Sequence, residues 1–200
     1  MNARQTGVRL LEAARSGDAD EVRAALDAGA DVETRDGDGR SPLLLASLGD
    51  HVAVAHTLVA AGADPDAQDS RRDSAWLVTG VTGSVEMMRA LLPAGPDMTV
   101  RNRFGGVSLI PASERGHVAY VRAVLSETDI AVDHINDLGW TALLEAVILG
   151  DGGVRHQQVV ELLMAAGADV GIGDSDGVTA LQHADRRGFR EIATLLKSDR

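Results

Sequence analysis

Two glutamates and one histidine are the side chains of this 200-residue chain best suited to acid–base chemistry. Glu114, Glu145 and His183 lie in three similar segments of the sequence. Two carboxyl groups beside an imidazole can transfer protons during catalysis when they are buried and close together. In an open groove such groups are usually hydrated or paired with a cation such as Arg186, so catalysis is the less favoured interpretation.

Two aspartate-rich segments, which begin at Asp36 and Asp174, resemble the start of a calcium-binding loop. Such a loop closes with a glutamate at its twelfth position, where these segments have Ser47 and Asp185. Asp and Gly are also the preferred residues of tight turns, and we interpret both segments as turn tips. The six histidines lack zinc-site spacing, and the absence of cysteine excludes thiol catalysis and cysteine-ligated zinc. The sequence therefore predicts no metal, no cofactor and no catalytic residue.

A short apolar block recurs along the chain at a nearly constant interval. Its third residue is, in order, Leu10, Leu43, Trp76, Leu109, Leu143 and Leu181, with separations of 33, 33, 33, 34 and 38 residues. Each block is followed by a second apolar segment with helical spacing, and in four repeats a glycine and an aspartate come next, as in Gly62-Ala63-Asp64. A fixed period in this range predicts a solenoid of stacked helix pairs.

The repeated unit resembles the ankyrin repeat. Matches to the opening of the family pattern are Gly39-Arg40-Ser41-Pro42-Leu43, Gly139-Trp140-Thr141-Ala142-Leu143 and Gly177-Val178-Thr179-Ala180-Leu181, and Gly116-His117 matches its middle. The resemblance implies an all-α ankyrin-repeat solenoid of about six helix-turn-helix repeats joined by hairpin-like loops. We expect a single domain, residues 1–200, with repeats at approximately 5–36, 37–69, 70–102, 103–136, 137–174 and 175–200. It also looks like the bacterial stand-alone members of this family.

Several positions depart from the family pattern. The histidine that usually follows the block leucine is replaced by Leu44, Leu77, Ile110, Leu144 and Gln182, which predicts apolar packing in its place. In repeat four, Ser108 is expected to cap the first helix, with Pro111 tolerated in the first turn. Repeat five has five extra residues between its helices, and His156 in this insertion could be exposed.

Composition limits the class of partner. The net charge of −11 opposes binding to nucleic acid, whose phosphates require a basic surface. The N-terminal residues lead into an amphipathic helix without an apolar signal or transmembrane segment. We therefore expect a monomeric protein of a bacterial cytoplasm whose partner is another protein, and neither nucleic acid nor a membrane.

The resemblance implies binding through hairpin tips and the concave face of the first helices. The candidate partner-binding residues are Arg71, Arg72, Arg101, Arg103, Phe104, Leu45, Leu48, Val78, Glu114, Glu145 and Trp140. Arginine and aromatic side chains dominate interface hot spots, which favours the first five. Alternatively, Arg71 and Arg103 form ion pairs with Asp69 and Asp73, and these pairs only keep the edge solvated without binding a partner.

These observations predict a protein-binding module, a scaffold or adaptor, that is not an enzyme. Two alternatives stay open. In one, the protein is an inhibitor or immunity protein that blocks a partner enzyme. In the other, the groove binds a small molecule or catalyses a reaction through Glu114, Glu145 and His183.

Overall fold

A computed structural model describes residues 3–197, so Met1, Asn2 and the end of the predicted sixth repeat, residues 198–200, lie outside the described residues. The described chain forms six pairs of α-helices, which confirms the all-α fold of helix-turn-helix repeats. The helices are α1 Ala3–Ser16, α2 Ala19–Asp27, α3 Pro42–Leu48, α4 Val52–Ala60, α5 Ala75–Thr82, α6 Val85–Leu91, α7 Leu109–Glu114, α8 Val118–Glu127, α9 Ala142–Ile148, α10 Val154–Ala165, α11 Ala180–Arg187 and α12 Arg190–Lys197. A 3-10 turn at Leu92–Ala94 follows α6.

The described helices group into two compact units, which divide between residues 103 and 104 and which we call the N-unit and the C-unit. In the N-unit, α3 packs between α1 and α5, and α4 packs between α2 and α6. In the C-unit, α9 packs between α7 and α11, and α10 packs between α8 and α12. Each unit therefore has one layer of first helices and one layer of second helices, as expected for stacked repeats. The single domain over residues 1–200 stays a prediction.

Hydroxyl side chains begin most of the first helices. Ser41, Ser74 and Thr141 each accept a hydrogen bond from the backbone N–H three residues later, at 3.2 Å. Ser108 lies just before α7 but makes no such bond, so the prediction that it caps the helix is wrong. Its backbone is already helical, with φ −58° and ψ −27°, whereas a capping residue needs an extended backbone to bring its oxygen over the N–H groups. Pro111 lies in the first turn of α7, as predicted.

Apolar side chains take the place of the family's inter-repeat histidine. Leu44, Leu77, Ile110 and Leu144 are all buried, which confirms that apolar packing replaces a polar contact there. Trp76 is also buried in the core. The sixth repeat differs, because Gln182 is exposed and its side chain accepts a hydrogen bond from the Thr179 N–H in a capping box.

The insertion in repeat five preserves a contact between repeats. His156 is only 5% exposed, so the expectation that it could be exposed is wrong. Its Nε2 lies 2.9 Å from the carbonyl oxygen of Glu114 in the preceding repeat. In repeat two, His51 makes the corresponding contact with the carbonyl oxygen of Arg15, at 3.0 Å. The extra residues therefore move this histidine along the chain without removing its contact to the neighbouring first helix.

Candidate functional site

The hairpin tips are built on one recurring turn. A side-chain oxygen accepts hydrogen bonds from the backbone N–H groups two and four residues later, at 2.8–3.0 Å. The accepting residues are Asp36, Asp69, Asn136 and Asp174. This confirms that the aspartate-rich segments are turn tips, because their oxygens serve the turn. The second polar atom of each side chain is left to bind another group.

In the N-unit, consecutive tips are joined by hydrogen bonds. The backbone N–H of Ser70 donates to the carbonyl oxygen of Asp38 at 3.0 Å. The side-chain amide of Gln68 donates to the carbonyl oxygen of Arg101 at 2.8 Å, and Arg35 donates to the carbonyl oxygen of Gln68 at 3.2 Å. The tips of this unit therefore form a continuous, hydrogen-bonded edge.

Four arginines, Arg71, Arg72, Arg101 and Arg103, lie on this edge, and we call them the arginine tips. All four are exposed. Arg103 lies 3.5 Å from a carboxylate oxygen of Asp73, so the alternative of an ion pair holds for this residue. Within the described residues, the other three guanidinium groups have no carboxylate within ion-pair distance. The backbone N–H of Arg71, rather than its side chain, bonds to the Asp69 carboxylate.

Arg72 has an unusual backbone conformation for an arginine. Its φ is 62°, in the left-handed region where side chains with a Cβ are disfavoured. Glycine with φ between 73° and 79° occupies the corresponding position in the other tips, at Gly39, Gly105, Gly139 and Gly177. The sequence signal for this strain is that repeat three has Arg72 where the corresponding turns have glycine. The tip of repeat three therefore presents an exposed arginine at a conformational cost of about 1 kcal/mol.

The tips at the start of the C-unit expose large apolar side chains. Phe104, Ile135 and Leu138 are 51%, 49% and 51% exposed, and we call them the apolar tips. The backbone N–H of Asp137 donates to the carbonyl oxygen of Phe104 at 2.9 Å, which joins the two neighbouring tips. Sequence reasoning identified Phe104 but missed Ile135 and Leu138, although both flank the turn-forming Asn136. Trp140, in the same tip, is half-buried.

A buried carboxyl group lies beneath the tip of repeat five. Glu145 is only 5% exposed, and its Oε1 accepts a hydrogen bond from the side-chain amide of Asn136 at 2.9 Å. Burial, together with the negative charge of Glu114, raises the pKa of Glu145 to about 7, against the opposing effects of Asn136 and Arg115. Glu114 itself pairs with Arg115 at 3.0 Å rather than with Arg186.

His183 belongs to a separate polar pair. Its Nε2 lies 2.7 Å from a carboxylate oxygen of Asp174, nine residues earlier. The hydrogen bond from the Val178 N–H, together with His183, holds the pKa of Asp174 below its usual value. Within the described residues, His183 is hydrogen-bonded to Asp174 and not to Glu114 or Glu145. The structure therefore places Glu114, Glu145 and His183 in three separate pairs, with Arg115, Asn136 and Asp174, and not in one hydrogen-bonded catalytic group.

The predicted apolar groove residues divide into buried and exposed positions. Leu45 and Val78 are 4% and 3% exposed, which corrects the expectation that they face an open groove. They point into the core because their first helices pack against neighbouring first helices on this side. Leu48 is half exposed, as is Val81 at the corresponding position of α5. Leu48 and Val81 are therefore the large apolar side chains that α3 and α5 expose to solvent.

A cavity of about 420 Å³ lies between α1 and the following tip in the N-unit. Its lining includes Val8, Leu11, Arg15 and Asp36, and none of Glu114, Glu145 and His183. Arg15 and Asp36 form an ion pair at 3.0 Å on its wall. Among residues 3–197, no three His, Asp or Glu side chains converge as they would around a metal ion. Nor does this part of the chain contain a helix with the length and apolarity to cross a membrane.

Comparisons with known proteins agree with this architecture. Family models of ankyrin repeats match residues 10–59 and 76–174. The ankyrin repeat protein YahD of Escherichia coli K12 is 41% identical over 186 residues, which cover 93% of this chain and 92% of YahD. The crystal structure of an ankyrin repeat domain from Acinetobacter baumannii AYE has a TM-score of 0.91 and 43% identity, covering 95% of this chain and 96% of that one. The ankyrin repeat protein EF0377 has a TM-score of 0.92 and 39% identity, covering 96% and 97%. This chain belongs to the ankyrin repeat family.

Proposed function

We propose that this protein is a scaffold or adaptor that binds a partner protein through its hairpin tips and the neighbouring faces of its first helices. Ankyrin repeats are generally protein-interaction modules. The observation that carries the proposal is the set of exposed arginine tips on a hydrogen-bonded edge of the N-unit. We propose further that the protein acts in the cytoplasm as a monomer and not as an enzyme.

The arginine tips suit recognition because their backbone is already ordered. The turn that carries Arg71 and Arg72 is closed by two hydrogen bonds to the Asp69 side chain, and Gln68 bonds this tip to the backbone of Arg101. A surface that is ordered before binding loses little conformational entropy on binding, so more of the contact energy appears as affinity. Arg71, Arg72 and Arg101 also keep their guanidinium donors available for a partner's carboxylates.

The first helices offer a second set of contacts beside the tips. Leu48 and Val81 expose apolar surface on the N-unit, whereas Glu114 exposes a carboxylate on the C-unit. Glu145 is too deeply buried to touch a partner directly, and we assign it a supporting role under the tip that carries Trp140. The buried Leu45 and Val78 support the same helices from below.

The proposal is tested by affinity capture of the full-length protein from a lysate of its own organism, followed by mass spectrometry. We expect one protein to be captured in a stoichiometric amount and to be lost with the R71E/R101E variant. R122E is a control for charge reversal at a single arginine, since Arg122 is exposed on the second helix α8, away from the tips. All three proteins should have the same melting temperature, because the substituted side chains are on the surface.

Other outcomes would change the assignment. If R71E/R101E captures the same protein as wild type, the arginine tips are not the binding surface. If a metabolite and no protein is retained, the small-molecule alternative replaces the binding module. If the captured protein is an enzyme and loses activity on addition of this chain, the inhibitor role is favoured over a scaffold. A mass of two chains by light scattering would contradict the monomer.

A further inference from the structure

We infer that the apolar tips of the C-unit form a docking surface for a basic segment of a partner, anchored by large apolar side chains. This inference rests on the proposed function, because it names the kind of partner for one surface of the binding module. It concerns a different set of residues from the arginine tips of the N-unit. The two surfaces can therefore be tested separately.

The apolar tips expose more hydrophobic surface than a solvated turn needs. Phe104, Ile135 and Leu138 are each about half exposed and lie on two neighbouring tips. Turn residues are normally small or polar, and in the tip of repeat six the positions of Ile135 and Leu138 are taken by Gly173 and Asp176. Clustered exposed apolar side chains on a soluble protein mark interaction sites.

Hydrogen bonds hold these side chains at the surface. The oxygen of the Asn136 side chain closes the turn, while its amide donates to the buried Glu145. His134 Nε2 lies 2.7 Å from the carbonyl oxygen of Gly105, and the N–H of Asp137 bonds to Phe104. Because the tip is anchored to α9 and to the preceding tip, Ile135 and Leu138 cannot easily fold back onto the core. A partner meets an apolar surface that is already in place.

The charge around Ile135 and Leu138 favours a basic partner, whereas on the tip of repeat four Arg101 and Arg103 precede Phe104, and Arg103 pairs with Asp73 at 3.5 Å. Residues 123–154 and 156–185 contain no lysine or arginine. The tips in these segments carry Asp137 and Asp176, which are exposed and form no ion pair within the described residues. Interfaces combine an apolar centre with a polar rim, and a rim of one sign attracts the opposite sign and repels its own. A partner segment with apolar residues flanked by lysine or arginine would contact the apolar tips at the centre and pair with the carboxylates of the rim.

The test is a selection of random 12-residue peptides displayed on phage against the immobilised full-length protein. Parallel selections use F104S/L138S, which removes two apolar anchors, and V154S, which removes one exposed apolar side chain elsewhere, as a control. Val154 is 67% exposed at the start of α10 and lies outside the tips. We expect enriched peptides with Leu, Phe or Trp beside Lys or Arg, retained by V154S and lost with F104S/L138S. Circular dichroism should show equal melting temperatures for the three proteins.

The enriched peptide is then synthesised with a fluorescent label, and its affinity is measured by anisotropy. We expect F104S/L138S to weaken binding at least about tenfold. D137N/D176N should weaken it by about threefold at low salt and by less at high salt, where charge attraction is screened. Enrichment of acidic peptides, an equal affinity for F104S/L138S, or no enrichment at all would overturn the inference.

The outcomes separate this inference from the proposed function. Peptides that bind F104S/L138S normally but are lost with R71E/R101E would keep the binding module and reject this surface. Concentration-dependent self-association that F104S/L138S abolishes would assign the surface to a second copy of the chain, which also overturns the inference. Failure of the peptide selection and of the lysate capture together would reject both proposals.

Discussion

The N-unit and the C-unit build their tips on the same turn but use the second polar atom of the turn residue differently. In the N-unit, the second oxygen of Asp36 accepts hydrogen bonds from Arg40 and Arg15, both at 3.0 Å, near the surface. In the C-unit, the amide of Asn136 donates to Glu145, which is buried on the first helix. The Asp36 turn of the N-unit is thus tied to surface cations, whereas the Asn136 turn of the C-unit is tied to the interior.

The residue nine positions after the turn residue decides between these two arrangements. In the N-unit this residue is Leu45 or Val78, which packs in the core and makes no hydrogen bond through its side chain. In the C-unit it is Glu145 or His183, which provides a polar partner. Where an inner partner exists, the tip needs no arginine. Its outer positions can then carry apolar side chains and carboxylates, so one scaffold presents two kinds of surface.

The largest effect is expected when the C-unit turn is given the residue of the N-unit turn. N136D removes the amide donor and brings a second carboxyl group against the buried Glu145. We expect the free energy of unfolding at pH 8 to fall by about 3 kcal/mol, because two buried charges would then repel without a hydrogen bond. Urea unfolding followed by circular dichroism at pH 8 and pH 5 measures this, and the loss should be smaller at pH 5.

A second variant completes the exchange. N136D/E145L recreates the combination of Asp36 and Leu45, and we expect it to recover most of the stability that N136D loses. If N136D alone is as stable as wild type, the contact between Asn136 and Glu145 does not hold the tip. The proposed difference between the two units would then be without energetic consequence.

The next effect concerns Glu145, which is more deeply buried than any carboxylic side chain among the described residues of the N-unit. Because the pKa of Glu145 is raised from 4.5 to about 7, the folded protein holds a proton between these pH values that the unfolded chain has released. Raising the pH through this range therefore weakens folding, and the contribution of this group is most favourable below pH 4.5. E145Q keeps the oxygen that Asn136 contacts but cannot ionise. We expect E145Q to be more stable than wild type by about 2 kcal/mol at pH 8 and nearly equal at pH 5.

The difference between the two unfolding free energies, measured every half pH unit from 4 to 9, isolates this group. Carboxylates with lowered pKa values, such as Asp36 and Asp174, affect both proteins equally and cancel. A constant difference across the range would show that Glu145 does not titrate near neutral pH. Glu145 would then contribute no pH dependence near neutral pH to the stability of the C-unit.

The fold was predictable because the sequence features that define each repeat are local. The apolar blocks, the glycines of the turns and the hydroxyls at helix starts act within a few residues, so their spacing indicated every helix pair. The predictions of a helix cap at Ser108 and of an exposed His156 were wrong, because both depend on features that are not local. The cap depends on backbone angles that packing determines, and the insertion hid which histidine takes the family's position.

The candidate site was less predictable, because exposure depends on the neighbouring repeat. Leu45 and Ile135 are both aliphatic residues, yet one is buried in a helix and the other is exposed at a tip. Glu145 stood out as a carboxylate on a first helix, but its bond to Asn136 joins two elements whose approach the sequence does not specify. Only the stacking of the repeats places Phe104 on a tip next to the one that carries Ile135 and Leu138.

A smaller effect is expected for the histidines that contact the preceding repeat. His156 is buried and has an oxygen close to each ring nitrogen, from Asp151 at 2.7 Å and Glu114 at 2.9 Å. His51 in the N-unit makes the same backbone contact but is more exposed. We expect H156A to lower the free energy of unfolding by about 1 kcal/mol more than H51A, because it leaves a cavity and a buried carbonyl. Parallel urea titrations measure the difference, and equal losses would contradict the assignment of a stronger tie to the C-unit.

The smallest effect separates stability from binding at the arginine tips. Arg72 has a left-handed backbone where four other tips have glycine, whereas Arg71 does not have a positive φ. R72G relieves the strain and should raise the free energy of unfolding by about 0.5 kcal/mol, whereas R71G should lower it, since glycine only adds freedom to the unfolded chain there. Both variants remove one exposed positive charge, and both should weaken capture of the partner protein. A stabilising R72G that also loses the partner would mean that the strained arginine is kept for recognition. A stabilising R72G with full capture would mean that the N-unit tip gains nothing from the arginine, and that binding belongs to its neighbours.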